Sequence, residues 1–125
     1  MATKTVEAKN AKTVKPITLK DDNNGDVFVL EFDRNTVKFA EARGFKINSL
    51  DEGLSISNFE ELFFYAFRKH QPKMSKADTD HILYDKLQGM PDGMLERLVE
   101  LYLLPFNSLI QTGDEAKNPT MTVDF

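Results

Sequence analysis

Apolar residues recur at helical spacing in several stretches of this chain and alternate in one. Ile17-Thr18-Leu19 alternates, residues 21–26 (DDNNGD) form a dense turn signal, and residues 27–32 (VFVLEF) are β-branched and aromatic. This predicts a β-hairpin over 17–32, with Gly25 the natural residue for a positive φ. A hairpin alone is marginal in water, so it must pack on helices or on a partner. Asp33 is a good N-cap for a helix over 34–42, in which Val37 shares a face with Ala40, and Gly44 is placed to end it.

The heaviest aromatic load lies in residues 57–72. Phe59, Leu62, Phe63, Ala66, Phe67 and His70 fall on one face of a 3.6-residue period. Ser57 and Glu60 have capping-box spacing, Arg68, Lys69 and His70 suit the last turn, and Pro72 stops the helix. The expected helix runs near 58–70. Ser75, with Asp78 three residues on, caps a third helix near 75–88, whose sparse apolar face is Ala77, Ile82 and Leu87, with Gly89 closing it. Pro91 sits well in the first turn of a fourth helix near 91–104. One stripe of that helix is Met94, Leu98, Leu101, Tyr102 and Pro105, and Leu95, Val99 and Leu103 run beside it.

The expected fold is therefore mostly α, about four helices with an N-terminal β-hairpin. The folded domain covers 16–110, between a flexible basic arm at 1–15 and a flexible polar tail at 111–125. At 125 residues there is room for one domain.

Charge is unevenly placed. The chain carries −4 overall, but residues 1–20 hold five lysines against Glu7 and the remainder is acidic. The arm contains no arginine and no aromatic residue, so it lacks both guanidinium base readers and stacking platforms. A solubilising arm is expected, not a nucleic-acid contact. With no cysteine there are no disulfides, thiolate zinc sites or cysteine nucleophiles. Residues 1–10 lack the apolar core of a signal peptide, and the longest apolar run, 101–106, is far too short to cross a bilayer. No membrane association is expected.

Candidate chemistry is thin. His81 and Asp85 are four residues apart beside Asp78 and Asp80, which is the nearest approach to a metal cluster, but such acids on a helix usually form a solvated face. Ser57 and Ser75 read as caps and Glu60-Glu61 as first-turn acids that suit the helix dipole. No glycine-rich loop leads a strand into a helix. The expectation is no enzyme, with no catalytic, metal or cofactor residues. What remains is protein binding. Phe63, Phe64 and Tyr65 are consecutive and cannot all face inward, so Phe64 or Tyr65 is a candidate surface residue. The stripe Leu95, Val99, Leu103 is either consumed by the core or offered to a partner helix, Phe64 or Tyr65 would extend that patch, and Phe106 is a further candidate.

Three segments, 28–45 (FVLEFDRNTVKFAEARGF), 59–72 (FEELFFYAFRKHQP) and 89–102 (GMPDGMLERLVELY), together resemble the tail assembly chaperones of Gram-positive siphophages and prophages. The resemblance implies a non-enzymatic, mostly helical protein that coats and solubilises the tape-measure protein, helps recruit tail-tube subunits and self-associates. It implies a location in the cytoplasm of the bacterial host and absence from the mature virion. The alternative is a structural head–tail connector or tail completion subunit retained in the virion.

Overall fold

The hairpin forms where the alternation predicts it. A computed structural model describes residues 14–48, 55–109, 120–121 and 123–125. Strands β1 (Ile17–Lys20) and β2 (Val27–Leu30) pair antiparallel, Ile17 opposite Leu30 and Lys20 opposite Val27. Asp21 and Asn24 carboxyl and amide oxygens accept from the Asn23 and Asp26 amides inside the loop, and Gly25 takes φ +82°. These local bonds give the loop backbone partners without a ladder.

Helix α1 (Arg34–Ala42) starts from an Asp33–Thr36 capping box, both bonds 2.8 Å. Its end is a Schellman turn. Gly44 at φ +93° lets the Gly44 amide reach the Glu41 carbonyl and the Phe45 amide the Ala40 carbonyl, which turns Phe45 inward to near-complete burial. Helix α2 spans Ile56–Phe67, α3 spans Lys76–His81 and widens into a π turn over Ile82–Lys86, and α4 spans Met94–Asn107. The described residues thus comprise four helices and one hairpin.

Helix α2 is the hub, touching β2, α1, α3 and α4. It buries Leu62, Phe63, Tyr65, Ala66 and Phe67, and the Glu31 amide donates to the Ala66 carbonyl, which ties the end of β2 to it. Phe28 of β2 stacks near Phe67, so the hairpin does find its helical support. Helix α4 contributes Met94, Leu98, Leu101 and Tyr102 to the core, the inner stripe read from the sequence.

Several local expectations need correction. The cap of α2 is Ser55, whose hydroxyl accepts from the Asn58 amide at 3.3 Å, and Ser57 is already helical. Glu60 and Glu61 consequently lie beyond the first turn. Arg68, Lys69 and His70 follow the helix instead of closing it, because each is drawn to a partner elsewhere. Arg68 lies over the Phe39 ring at 3.6 Å, while Lys69 and His70 both reach Glu31. Pro91 precedes α4 in a turn closed by the Met94 amide on its carbonyl, and Gly93 at φ +86° starts the helix three residues later than expected. In α3, Ala77 is exposed, and Thr79 and Leu83, one regular helical turn apart, face inward with Ile82.

The folded part begins by Val14, which packs on the core, and the Lys15 carbonyl accepts from Arg97. The rest of the predicted arm and most of the predicted tail lie outside the described residues.

Two substitution pairs follow. Ser55→Ala should cost about 1 kcal/mol in denaturant unfolding, and Ser57→Ala less than about 0.5 kcal/mol. Leu98→Ala, in the sealed core, should cost about 2–5 kcal/mol, and Leu103→Ala less than about 1 kcal/mol because its side chain already meets water.

Candidate protein-binding surface

The outer stripe of α4 is where apolar side chains reach solvent. Leu95 and Val99 are partly buried against the core, and Leu103 is 40% exposed. Their 1-5-9 spacing keeps them in line along one face of the helix. At the N-terminal end of α4 this stripe opens into a groove of about 440 Å³. Ile56, Phe59, Leu83, Tyr84, Met90 and Leu95 line it, with Asp92 and Glu96 among its polar members. Ile56 is 72% exposed, which is unusual for a residue of that size on the first turn of a core helix.

A charged network fixes one wall. The Tyr84 hydroxyl donates to Glu60 Oε2 at 2.6 Å, and Lys76 Nζ donates to Glu60 Oε1 and to both Asp80 oxygens at 3.0 Å. The Tyr84 bond, then Lys76, holds the Glu60 carboxyl below its ordinary range, and the same bond pushes the Tyr84 hydroxyl up. Burial works against the charge on Lys76, but the hydrogen bonds to Asp80 and Glu60 outweigh it and raise its value. The network joins α2 to α3 and the π turn. It therefore sets how far apart the groove walls stand.

The candidate surface residues separate in the fold. Leu95, Val99 and Leu103 share the α4 face. Phe106 does not continue it, because it turns toward α1 and lines a dimple with Val37 and Pro105. Phe64 is half-buried against the core, its ring 5.1 Å from that of Tyr65. Tyr65 is a correction: it is only 4% exposed, held between Phe39 and Phe45, and presents no surface. Sequence reasoning missed Ile56, Phe59, Leu83, Tyr84 and Met90 as groove residues. Leu83 and Tyr84 come from the π turn, Ile56 and Phe59 from α2 and Leu95 from α4, an assembly that no local spacing rule shows.

The histidines and acids weighed as metal ligands have other partners. His81 Nδ1 lies 2.7 Å from Asp85, His70 Nε2 lies 2.7 Å from Glu31, Asp78 completes the Ser75 capping box, and Asp80 pairs with Lys76. Among the described residues no three His, Cys, Asp or Glu side chains converge on a metal-sized site. No helix among them is long and apolar enough to cross a membrane.

A family model described as "Domain of unknown function (DUF5055)" matches residues 3–125. The chain belongs to that family. No curated protein and no solved structure matches it. The DUF5055 match takes in both ends of the chain as well as the helical domain, so the apolar stripe and groove lie wholly inside the family's span.

Folding holds Glu60 and, through His70 and then Lys69, Glu31 below their ordinary values. The stability they add is therefore complete above the ordinary carboxylate value of 4.5 and is lost as pH falls through their folded values. Tyr84→Phe should flatten the loss of stability on acidification, measured by denaturant unfolding at a series of pH values. An unchanged acid slope would contradict the assigned role of Tyr84.

Proposed function

We propose that this protein is a phage tail assembly chaperone, a non-enzymatic binding protein that coats and solubilises the tape-measure protein and helps recruit tail-tube subunits. The observation that carries the reading is the apolar line Leu95–Val99–Leu103 along α4, partly buried at Leu95 and Val99 and 40% exposed at Leu103, leading into the groove at Ile56 and Tyr84. The resemblance of segments 28–45, 59–72 and 89–102 to that family supports it.

The physical logic is consistent. A tape-measure protein is long, helical and apolar along one face, and aggregates if left bare. A chaperone for it needs an apolar groove able to seat a helix. Low affinity per contact, multiplied over many copies, holds the client while individual subunits remain displaceable as the tube grows. The acidic residues at the groove, Asp92 and Glu96, favour a client whose apolar face is flanked by lysine or arginine. No nucleotide or metal is required.

Co-expression tests this. The chain, tagged, is expressed with the tape-measure protein of the same phage, and soluble tape-measure protein is the readout. The proposal expects solubility that depends on this chain, with several copies of it co-purifying. Leu103→Asp should lower recovery at least about tenfold while unfolding like the unsubstituted chain. Tape-measure protein that stays insoluble and unbound, with the chain itself found in purified virions, would move the connector reading to the front.

A further inference from the structure

Charge changes sign along α4. At its N-terminal end the groove is lined by Asp92 and Glu96, both exposed, and by no lysine, arginine or histidine among the described residues. At its C-terminal end the dimple that holds Phe106 is lined by Arg34 and Lys38, both exposed, with Glu41 beside them. The first end is therefore negative and the second carries a net positive charge.

The two ends open on one side of the helix. Leu95 in the groove and Phe106 in the dimple are about three turns apart, so they leave α4 in nearly the same direction, about 16 Å apart along its axis. The line through Val99 to Leu103 drifts round the helix by about 40° at each step, which carries Leu103 toward solvent. An occupant laid along α4 from Leu95 to Phe106 meets carboxylates at one end and cations at the other.

Helices themselves favour one order of charge. Acids stabilise a first turn and cations a last turn, because each opposes the dipole it faces. A helix built in that order matches both ends of α4 only when it runs antiparallel to it. Parallel docking would set cations beside Arg34 and Lys38 and acids beside Asp92 and Glu96, and like charges across an interface reject a partner.

We propose that the groove takes an amphipathic helix running antiparallel to α4, its cationic last turn on Asp92 and Glu96, its acidic first turn beside Arg34 and Lys38, and an apolar side chain seated among Ile56, Phe59 and Leu95. This rests on the reading of the groove as a client site and adds to it the direction and charge order of the client. The recognised segment is about three turns long, apolar along one stripe, acidic where it begins and basic where it ends. A client that presents such segments in series would be covered by chains that all point the same way along it.

Fluorescence anisotropy of the full chain with two synthetic helical peptides of one composition tests this. Both carry leucine at i, i+4, i+7 and i+11, and both are held helical by a hydrocarbon staple on the polar face. One has glutamates in its first turn and lysines in its last, and the other has the reverse. The first should bind at least about tenfold tighter. The double variant Asp92→Lys/Glu96→Lys, at exposed positions, should lose most of that preference, and should bind a third peptide with glutamates in both end turns better than the unsubstituted chain does. A benzophenone at the C-terminus of the first peptide should crosslink within residues 89–96. Equal affinity for the first two peptides, crosslinks confined to residues 105–109, or no binding of any peptide would overturn the proposal. Co-expression with tape-measure protein separates this from the chaperone reading. Solubilised tape-measure protein beside undirected peptides overturns the direction alone. Insoluble tape-measure protein beside a directed peptide overturns the chaperone reading and leaves the direction standing.

Discussion

The fold depends on the packing of rings around α2. Phe28, Phe67 and Phe63 form one run of close aromatic contacts, and Phe39, Tyr65, Phe45, Tyr102 and Phe32 form another. Each such contact adds about 0.5–1.5 kcal/mol beyond the area it buries. Together they join the hairpin, α1, the turn after it and α4 to a single helix. Tyr102 sits so deep that burial, with Glu41 nearby, pushes its hydroxyl up to about 12. Helix α4 packs on both α1 and α2 through Met94, Leu98, Leu101 and Tyr102, and the side of it that carries Leu103 is left at the surface. The partly exposed stripe follows from that packing.

The charged groups act at the margins of this core. Glu31 with His70 and Lys69 ties the hairpin to the turn after α2, and Asp21 with Lys86 ties the hairpin loop to the π turn. Glu60 with Lys76 and Tyr84 ties α2 to α3. Partly exposed pairs of this kind contribute little stability singly, typically under about 1 kcal/mol. Their effect is on geometry. They set the angle at which each peripheral element meets α2, and so the width of the groove beside Tyr84.

Element existence was legible in the sequence because each element satisfies two rules together. The hairpin has alternation and a turn signal, α1 has both a cap and a terminating glycine, and α4 has periodicity over four turns. The buried stripe Met94, Leu98, Leu101 and Tyr102 was readable for the same reason. Errors fell where two residues compete for one role. Ser55 and Ser57 are equally plausible caps by type, and only the extended backbone at Ser55 decides between them. Tyr65 was misplaced because its burial comes from Phe39 and Phe45, distant in sequence. The groove was hidden because its lining comes from α2, the π turn and α4, which are distant in sequence and brought together only by packing. Phe106 was a candidate beside the outer stripe, and the packing of α4 on α1 carries it to a separate dimple with Val37 and Pro105.

Amide hydrogen exchange of the chain, alone and bound to the tape-measure protein, tests most directly whether the leftover face of α4 is the working surface. The account predicts new protection in α4 from Met94 to Leu103 and in the π turn from Ile82 to Lys86, with the hairpin unchanged. Protection confined to the hairpin, with the exchange of α4 unaltered, would contradict it.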